Sequence, residues 1–160
     1  MTHKQTRVID ANSNGLIKPT DLLSLSQEDA ERMIRSAYSG SREWTDQNRK
    51  GDMRIGAALV SMRVSYGLPR STIASLSGIS MTTITRIELG IRNMSADALA
   101  NILTGVRDGV KLLHPGRRTE YDRWMIEFIG MVAKVEQENR LERAERRLKN
   151  LGRKKQEDGE

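Results

Sequence analysis

The sequence contains no cysteine, which excludes a disulfide framework and any metal or redox site built on thiolates. Its two histidines, His3 and His114, lie far apart in the chain, which argues against a zinc site based on paired histidines. No apolar run approaches the roughly 18–20 residues that span a bilayer, and the N-terminus lacks the apolar core of a signal peptide. We therefore expect a cytoplasmic protein without a metal, another cofactor or a membrane-spanning segment.

Patterns that support catalysis are missing as well. We find no β-type alternation, no Ser/His/Asp set and no carboxylates grouped in an apolar segment. The stretch from Gly51 to Gly56 is not a nucleotide-binding loop, because no Gly-Lys-Ser/Thr follows it. The acidic residues near the C-terminus alternate with arginines, which is typical of a solvated helix face. The sequence therefore predicts an all-α protein that is not an enzyme.

One stretch, residues 73–90, has the pattern of two short helices around a tight turn. Gly78 suits the turn because glycine adopts positive φ without a Cβ clash. Ser80 is a good N-cap for the second helix, whose Ile84 and Ile87 face the core. Four side chains are left on the outer face of that helix: Met81, Thr82, Thr85 and Arg86. Such a pair of helices, with a polar outer face on the second, is typical of a helix-turn-helix.

Positive charge is concentrated around this stretch. The chain has a net charge of +6 and a pI of about 9.9, which favours a polyanionic partner. Residues 116–160 carry 12 Lys and Arg against 10 Asp and Glu, so charge nearly cancels there. Between Met53 and Ala96 the only acid is Glu88, and the cations are Arg54, Arg63, Arg70, Arg86 and Arg92. This distribution supports DNA binding.

About 50 of the 160 residues, positions 57–106, resemble the XRE (Cro/repressor-type) helix-turn-helix family. The resemblance extends to the flanking helices and loops, and it is carried by Arg63, Gly67, Leu68, Ala74, Gly78, Glu88, Gly90, Arg92, Asn93 and Ser95. A helical bundle with a chance glycine would have to match all of these positions separately. The resemblance implies a lambda-repressor-like DNA-binding domain over residues 52–114.

The resemblance also implies how DNA is contacted: the helix after Gly78 enters the major groove, where base edges carry a distinct pattern of donors and acceptors. Base contacts are expected from Met81, Thr82, Thr85 and Arg86. Arg86 is the strongest of these because its fork takes both acceptors of a guanine, whereas a phosphate contact or none is an equal alternative for the two threonines. Phosphate contacts are expected from Arg70, Ser80, Arg92 and Asn93.

A buried ion pair between Arg63 and Glu88 is a further implication of the resemblance, and it would hold the loop at Gly90 in place. Two positions depart from the family pattern. Pro69 supplies no capping oxygen at the start of its helix, and Leu89 stands where the family often has asparagine. Pro69 therefore predicts a weaker cap for its helix, and Leu89 removes one polar group from the turn.

The N-terminal region, residues 1–51, is predicted to be an arm followed by a helix. Residues 1–20 are polar and read as an extended arm, for which a disordered tail and a DNA-contacting arm are both open. Ser26 opens a capping-box-like start, and the helix is expected to run to about Tyr38. Trp44 is expected to anchor the polar connection that follows.

The C-terminal region, residues 117–151, has the longest helical pattern in the chain. Apolar residues alternate by four and three, as in a coiled coil or a bundle helix: Tyr121, Met125, Phe128, Val132 and Val135. This stripe must be buried either against its own domain or against a second copy, and we expect it to pair with a second copy and form a homodimer. Residues 140–151 are expected to be a more exposed, charge-rich helix, and residues 152–160 a disordered tail.

These features predict a transcriptional regulator, a repressor that binds double-stranded DNA with a palindromic operator as a homodimer. The alternative is an antitoxin-type module, which neutralises a partner protein through its C-terminal helices and regulates its own operon. A helical adaptor that has lost DNA binding is a third possibility, against which the retained arginines argue. The identity of any partner protein is not indicated by the sequence.

Overall fold

Seven α-helices and one short 3₁₀ turn form the parts of the chain that the structure, a computed structural model, describes: residues 16–38 and 51–159. The helices are α1 (Pro19–Leu23), α2 (Gln27–Ala37), α3 (Met53–Ser65), α4 (Arg70–Ser77), α5 (Met81–Glu88), α6 (Ala96–Leu113) and α7 (Arg118–Asp158). The 3₁₀ turn, Pro115–Arg117, separates α6 from α7. These ranges contain no strand, which confirms the all-α prediction, and none of their helices has the length and apolarity needed to cross a membrane. The predictions for residues 1–15 and for Trp44 lie outside the described residues.

Polar caps set where several of the helices begin. The side chains of Ser26, Asp52, Ser80 and Ser95 each accept a hydrogen bond from a backbone N–H in the first turn of α2, α3, α5 and α6. The helix α4 begins after Pro69 without a side-chain cap, as predicted. It ends at Gly78, whose φ of 71° is the left-handed conformation that glycine adopts most readily.

A single hydrophobic core joins segments that the sequence suggested were separate. The helix α2 packs on α3, α4 packs on α6, and α7 packs on both α1 and α6. The largest buried side chains come from all of these regions and include Leu22, Ile34, Tyr66, Tyr121 and Phe128. The predicted segments 1–51, 52–114 and 117–151 therefore all contribute to one core. The apolar faces of α2 and α7 instead complete the core around α3–α6.

The stripe expected to pair with a second copy is instead covered within the chain, as part of this core. Tyr121, Phe128, Val132 and Val135 are buried within the chain itself, and Met125 is half-buried against the same cluster. The Tyr121 hydroxyl donates a 2.6 Å hydrogen bond to the Leu103 carbonyl on α6. A heptad pattern shows that a helix has one apolar seam but does not show which element covers it. Here α1 and α6 cover it.

The two ends of the chain are also more helical than predicted. The helix α1 begins at Pro19, inside the predicted arm, because proline fits the first turn and Leu22 is fully buried. At the other end α7 continues to Asp158, through most of the predicted tail at residues 152–160. Lys, Arg, Gln and Glu are good helix formers, and the single Gly152 costs only about 1 kcal/mol relative to alanine.

Close crossings at two glycines fix the position of α4 and α5. A Cβ at Gly56 in α3 would meet the carbonyl oxygen of Glu88 at the end of α5. A Cβ at Gly105 in α6 would lie 2.9 Å from the backbone nitrogen of Ser77 at the end of α4. Only glycine permits backbones to approach this closely, so both short helices rest directly on the longer ones.

Candidate nucleic-acid interface

The helix α5 presents one polar face to solvent and one apolar face to the core. Ile84 and Ile87 are buried, as the sequence predicts. On the opposite side, Met81 is 47 % exposed, Thr82 and Arg86 are exposed and Thr85 is half-buried. The structure therefore brings all four residues expected to contact bases to one side of α5.

The side chain of Ser80 caps the start of this helix. Its Oγ accepts a 3.1 Å hydrogen bond from the backbone N–H of Thr83, and its hydroxyl lies 2.8 Å from the Thr83 hydroxyl oxygen. The side chain of Ser80, which was expected to contact a phosphate, thus acts as the cap of α5.

Arg70 is attached to α5 and does not extend freely into solvent. Its Nη1 donates a 2.6 Å hydrogen bond to Oγ1 of Thr85, and its guanidinium lies 5.0 Å from the centre of the Tyr38 ring. Arg70, which is expected to contact phosphate, is thus hydrogen-bonded to Thr85, which is expected to contact bases. The contact places a cation beside the outer face of α5 and restrains the orientation of Thr85.

The loop after α5 continues the exposed polar surface. Arg92 and Asn93 are exposed, and the backbone N–H of Ile91 donates a 2.9 Å hydrogen bond to the carbonyl of Arg86, which folds the loop back on the helix. Gly90 has a φ of 70° at the bend. Within residues 16–38 and 51–159, neither Arg86 nor Arg92 has an ion-pair partner.

Glu88 is the one acid between residues 81 and 93, and it faces the interior with 1 % exposure. Arg63 holds it from α3: Nε lies 3.0 and 2.9 Å from the two carboxylate oxygens, and Nη2 lies 2.9 Å from Oε1. Burial by itself lowers the pKa of Arg63, but the charge and hydrogen bonds of Glu88 raise it above its usual value. The predicted ion pair is therefore present, and the exposed face of α5 carries no negative charge.

Tyr38 is a third member of this buried group, and it was not among the residues predicted from the sequence. Its hydroxyl donates a 2.9 Å hydrogen bond to Oε1 of Glu88 from the end of α2. Burial and the negative charge of Glu88 raise the pKa of Tyr38 well above its usual value, so the hydroxyl stays protonated and donates. The position of Tyr38 at the end of the apolar side of α2 could have indicated that it is buried. Its hydrogen-bond partner could not be predicted locally, because Glu88 lies 50 residues away.

Arg54 contributed to the predicted positive charge, but the structure neutralises it. Its Nη2 lies 3.0 Å from a carboxylate oxygen of Asp52 and 3.0 Å from Oε2 of Glu138 on α7. Its Nη1 donates to the carbonyl of Leu23. Arg54 therefore links α1, α3 and α7. Burial favours a higher pKa for Asp52, but hydrogen bonds from Arg54 hold that pKa below its usual value.

The described parts of the chain hold no group of three or more His, Asp or Glu side chains arranged to bind a metal ion. Comparisons with protein-family models, curated proteins and solved structures found no match to this chain.

Proposed function

We propose that this protein is a sequence-specific DNA-binding transcriptional regulator, in which α3–α6 form an XRE-type, lambda-repressor-like helix-turn-helix domain. The observation that carries the proposal is the outer face of α5, where Arg86 and its polar neighbours are exposed without an acidic residue. The buried pair of Arg63 and Glu88 supports this face from behind. A rigid helix with an exposed arginine fork is suited to reading base edges.

The dimensions and chemistry of α5 fit the major groove. An α-helix with its side chains is about 10–12 Å across, and the groove is about 12 Å wide. Arg86 would donate to both acceptors of a guanine, and the exposed Met81 would contact the methyl group of a thymine. Thr82 is free to donate or accept, whereas Thr85 reaches DNA only with Arg70 attached to it.

Phosphate contacts would border this face. Arg92 and Asn93 are exposed on the loop after α5, and Arg70 adds a cation at its other side. Each cation that neutralises a phosphate releases a condensed counterion, so binding should weaken as salt increases. These contacts position the protein, whereas Arg86 provides the specificity.

One such helix reads only a few base pairs, so the regulator would act as two copies on a palindromic operator with half-sites about one helical turn apart. Action as a repressor is proposed from the resemblance to the XRE family. Blocking a promoter requires only occupancy of the operator, and no catalytic group is needed for it.

The test is selection of bound sequences from a pool of random duplexes, with Arg86→Ala and Arg153→Ala as a matched pair. Arg153 is an exposed arginine at the far end of α7, so it controls for the loss of one positive charge. We expect the parent and Arg153→Ala to enrich the same motif and Arg86→Ala to lose one defined base pair of it. Enrichment of no motif by the parent would contradict the proposal and favour the alternative of a helical adaptor that has lost DNA binding.

A further inference from the structure

The last part of α7 projects beyond the protein core. Val135 is the last buried residue of this helix, and from Glu136 to Gly159 every residue except the half-buried Asn139 is exposed. Three leucines in this part are largely open to solvent: Leu141 is 60 % exposed, Leu148 is 68 % exposed and Leu151 is 60 % exposed. An exposed helix of this length with a regular apolar stripe lacks a covering surface within the described chain.

The exposed stripe, Leu141, Ala144, Leu148 and Leu151, has the 3-4-3 spacing of coiled-coil positions a, d, a and d. It points away from the domain. Val132, Asn139 and Arg143 line a groove against residues such as Asp52 and Met94, and this marks the side of α7 that faces the rest of the chain. At about 100° per residue, Leu141 and Leu148 lie roughly 180–200° around the helix from Asn139. Within residues 16–38 and 51–159, no element obstructs the approach of a second helix to the stripe.

The charges on the two sides of the stripe are separated by sign. In this register the g positions are Arg140, Arg147 and Lys154, and the e positions include Glu138 and Glu145. In a parallel pair, position g of one helix meets position e of the next heptad on the other, so Arg140 meets Glu145 of the second copy. An antiparallel pair instead brings the basic sides of the two helices together.

We propose that a second copy of this chain covers the exposed stripe and forms a parallel, in-register two-stranded coiled coil over residues 140–151. The surface is distinct from the stripe ending at Val135, which is buried in the monomer. Arg140 lies 3.8 Å from Glu136 of its own helix, but both side chains are exposed, so this pair is readily exchanged for one across the interface.

The length of the stripe sets the strength of the pairing. Lys134 and Gln137 precede it at positions a and d, and Lys155 and Asp158 follow it, so the apolar seam is limited to four residues per helix. A seam this short gives a monomer–dimer equilibrium that depends on protein concentration. A parallel pair places both copies of the core at the same end of the coiled coil.

Only the role of this dimer rests on the proposed function: two DNA-binding domains at one end of the coiled coil would reach the two half-sites of one operator. The pairing itself is measured without DNA. A parent protein that selects a DNA motif but stays monomeric would contradict the pairing alone, and a dimer that selects no motif would contradict the DNA-binding function alone.

The orientation can be tested by disulfide formation, because the chain has no cysteine of its own. We expect Leu148→Cys to cross-link with itself under oxidation, since two a positions face each other in a parallel pair at a distance that a disulfide spans. Arg153→Cys, at the outward f position, is the control and should not cross-link. Cross-linking only in a mixture of Ala144→Cys and Leu148→Cys would show an antiparallel pair and overturn the proposal.

The charges are tested by sedimentation of the full chain. We expect Arg140→Glu and Glu145→Arg each to raise the dissociation constant of the dimer roughly 3- to 30-fold, and the double variant to restore it. Leu148→Asp should abolish the dimer, and at a protein concentration where the parent is monomeric it should melt at the parent's temperature, because residue 148 lies outside the core. A parent that is monomeric at tens of micromolar, or a double variant weaker than both single ones, would overturn the proposal.

Discussion

The hydroxyl of Tyr38 donates a 2.9 Å hydrogen bond to Oε1 of Glu88, the same oxygen that accepts from Nη2 of Arg63. This contact joins the end of α2 to the end of α5. Because Glu88 is excluded from water, its charge is stabilised by these donors and not by solvent. The helix α2 is therefore one of the elements that fix the position of α5.

The first prediction concerns this buried group. Glu88→Ala should reduce the free energy of unfolding by about 3–5 kcal/mol, because it leaves Arg63 buried without its partner. Tyr38→Phe removes one hydrogen bond to a charged acceptor and should cost about 1–3 kcal/mol. Denaturant unfolding measures both, with the exposed Glu136→Ala as the control. If Glu88→Ala unfolds at the same denaturant concentration as the parent, the ion pair does not stabilise the fold.

The second prediction separates two exposed arginines on the proposed DNA-binding surface. Arg86→Ala should cost about 1–3 kcal/mol on the selected site and relax preference at one base pair, because a bidentate contact to a base is lost. Arg92→Ala should weaken binding to all duplexes alike and reduce the salt dependence by about one counterion. Binding titrations over a range of salt concentrations measure both effects. An equal loss of specificity in the two variants would show that these roles are wrongly assigned.

Local features of the fold were predictable because their causes are local. Ser80 caps α5 and Gly78 ends α4 as the sequence indicated, since capping and positive φ depend on one or two neighbouring residues. The pair of Arg63 and Glu88 was predictable from the resemblance to a family, and the structure contains it. The side of α5 that faces solvent followed from the spacing of its isoleucines.

Features that depend on distant parts of the chain were missed. The period of the α7 stripe indicates an apolar face, but its burial against α1 and α6 depends on the path of the chain. The partner of Tyr38 lies 50 residues away, so its hydrogen bond has no local pattern. Arg54 was counted among the cations of the DNA-binding region. One of its partners, Asp52, lies only two residues away, but the other, Glu138, lies 84 residues away.

The third prediction compares two apolar residues on the same helix. Phe128→Ala should reduce the free energy of unfolding by about 3–5 kcal/mol, because Phe128 is fully buried and stacks on Trp124 with the ring centres 4.8 Å apart. Leu148→Ala should leave the stability of the monomer nearly unchanged. Unfolding at low protein concentration measures this difference. Similar effects of the two changes would contradict the intrachain core.

The fourth prediction concerns acid stability. The pKa of Asp52 is lower in the folded chain than its usual value of about 4, so the unfolded chain binds more protons as the pH falls below that value. The stabilisation from Asp52 is therefore complete above about pH 4 and is lost as the pH falls through the folded pKa. Asp52→Asn should be less stable than the parent at pH 7 and should lose less stability between pH 4 and pH 2. Parallel pH profiles for the two proteins would contradict this contribution.

The fifth prediction uses two helical glycines with different surroundings. A Cβ at Gly56 would meet the carbonyl oxygen of Glu88 and lie 3.2 Å from Cδ1 of Ile34, so Gly56→Ala should push α3 away from α5 and cost about 1–3 kcal/mol despite the higher helix propensity of alanine. A Cβ at Gly130 in α7 meets nothing within 4 Å in the described structure, so Gly130→Ala should stabilise the protein by about 0.5–1 kcal/mol.

Thermal unfolding measures both changes in stability, and a DNA titration adds a second measurement for Gly56→Ala. Because Glu88 ends α5, displacement of its backbone should weaken DNA binding by Gly56→Ala and leave that by Gly130→Ala unchanged. Stabilisation of the protein by both changes would show that α3 and α5 do not cross as closely as this structure places them.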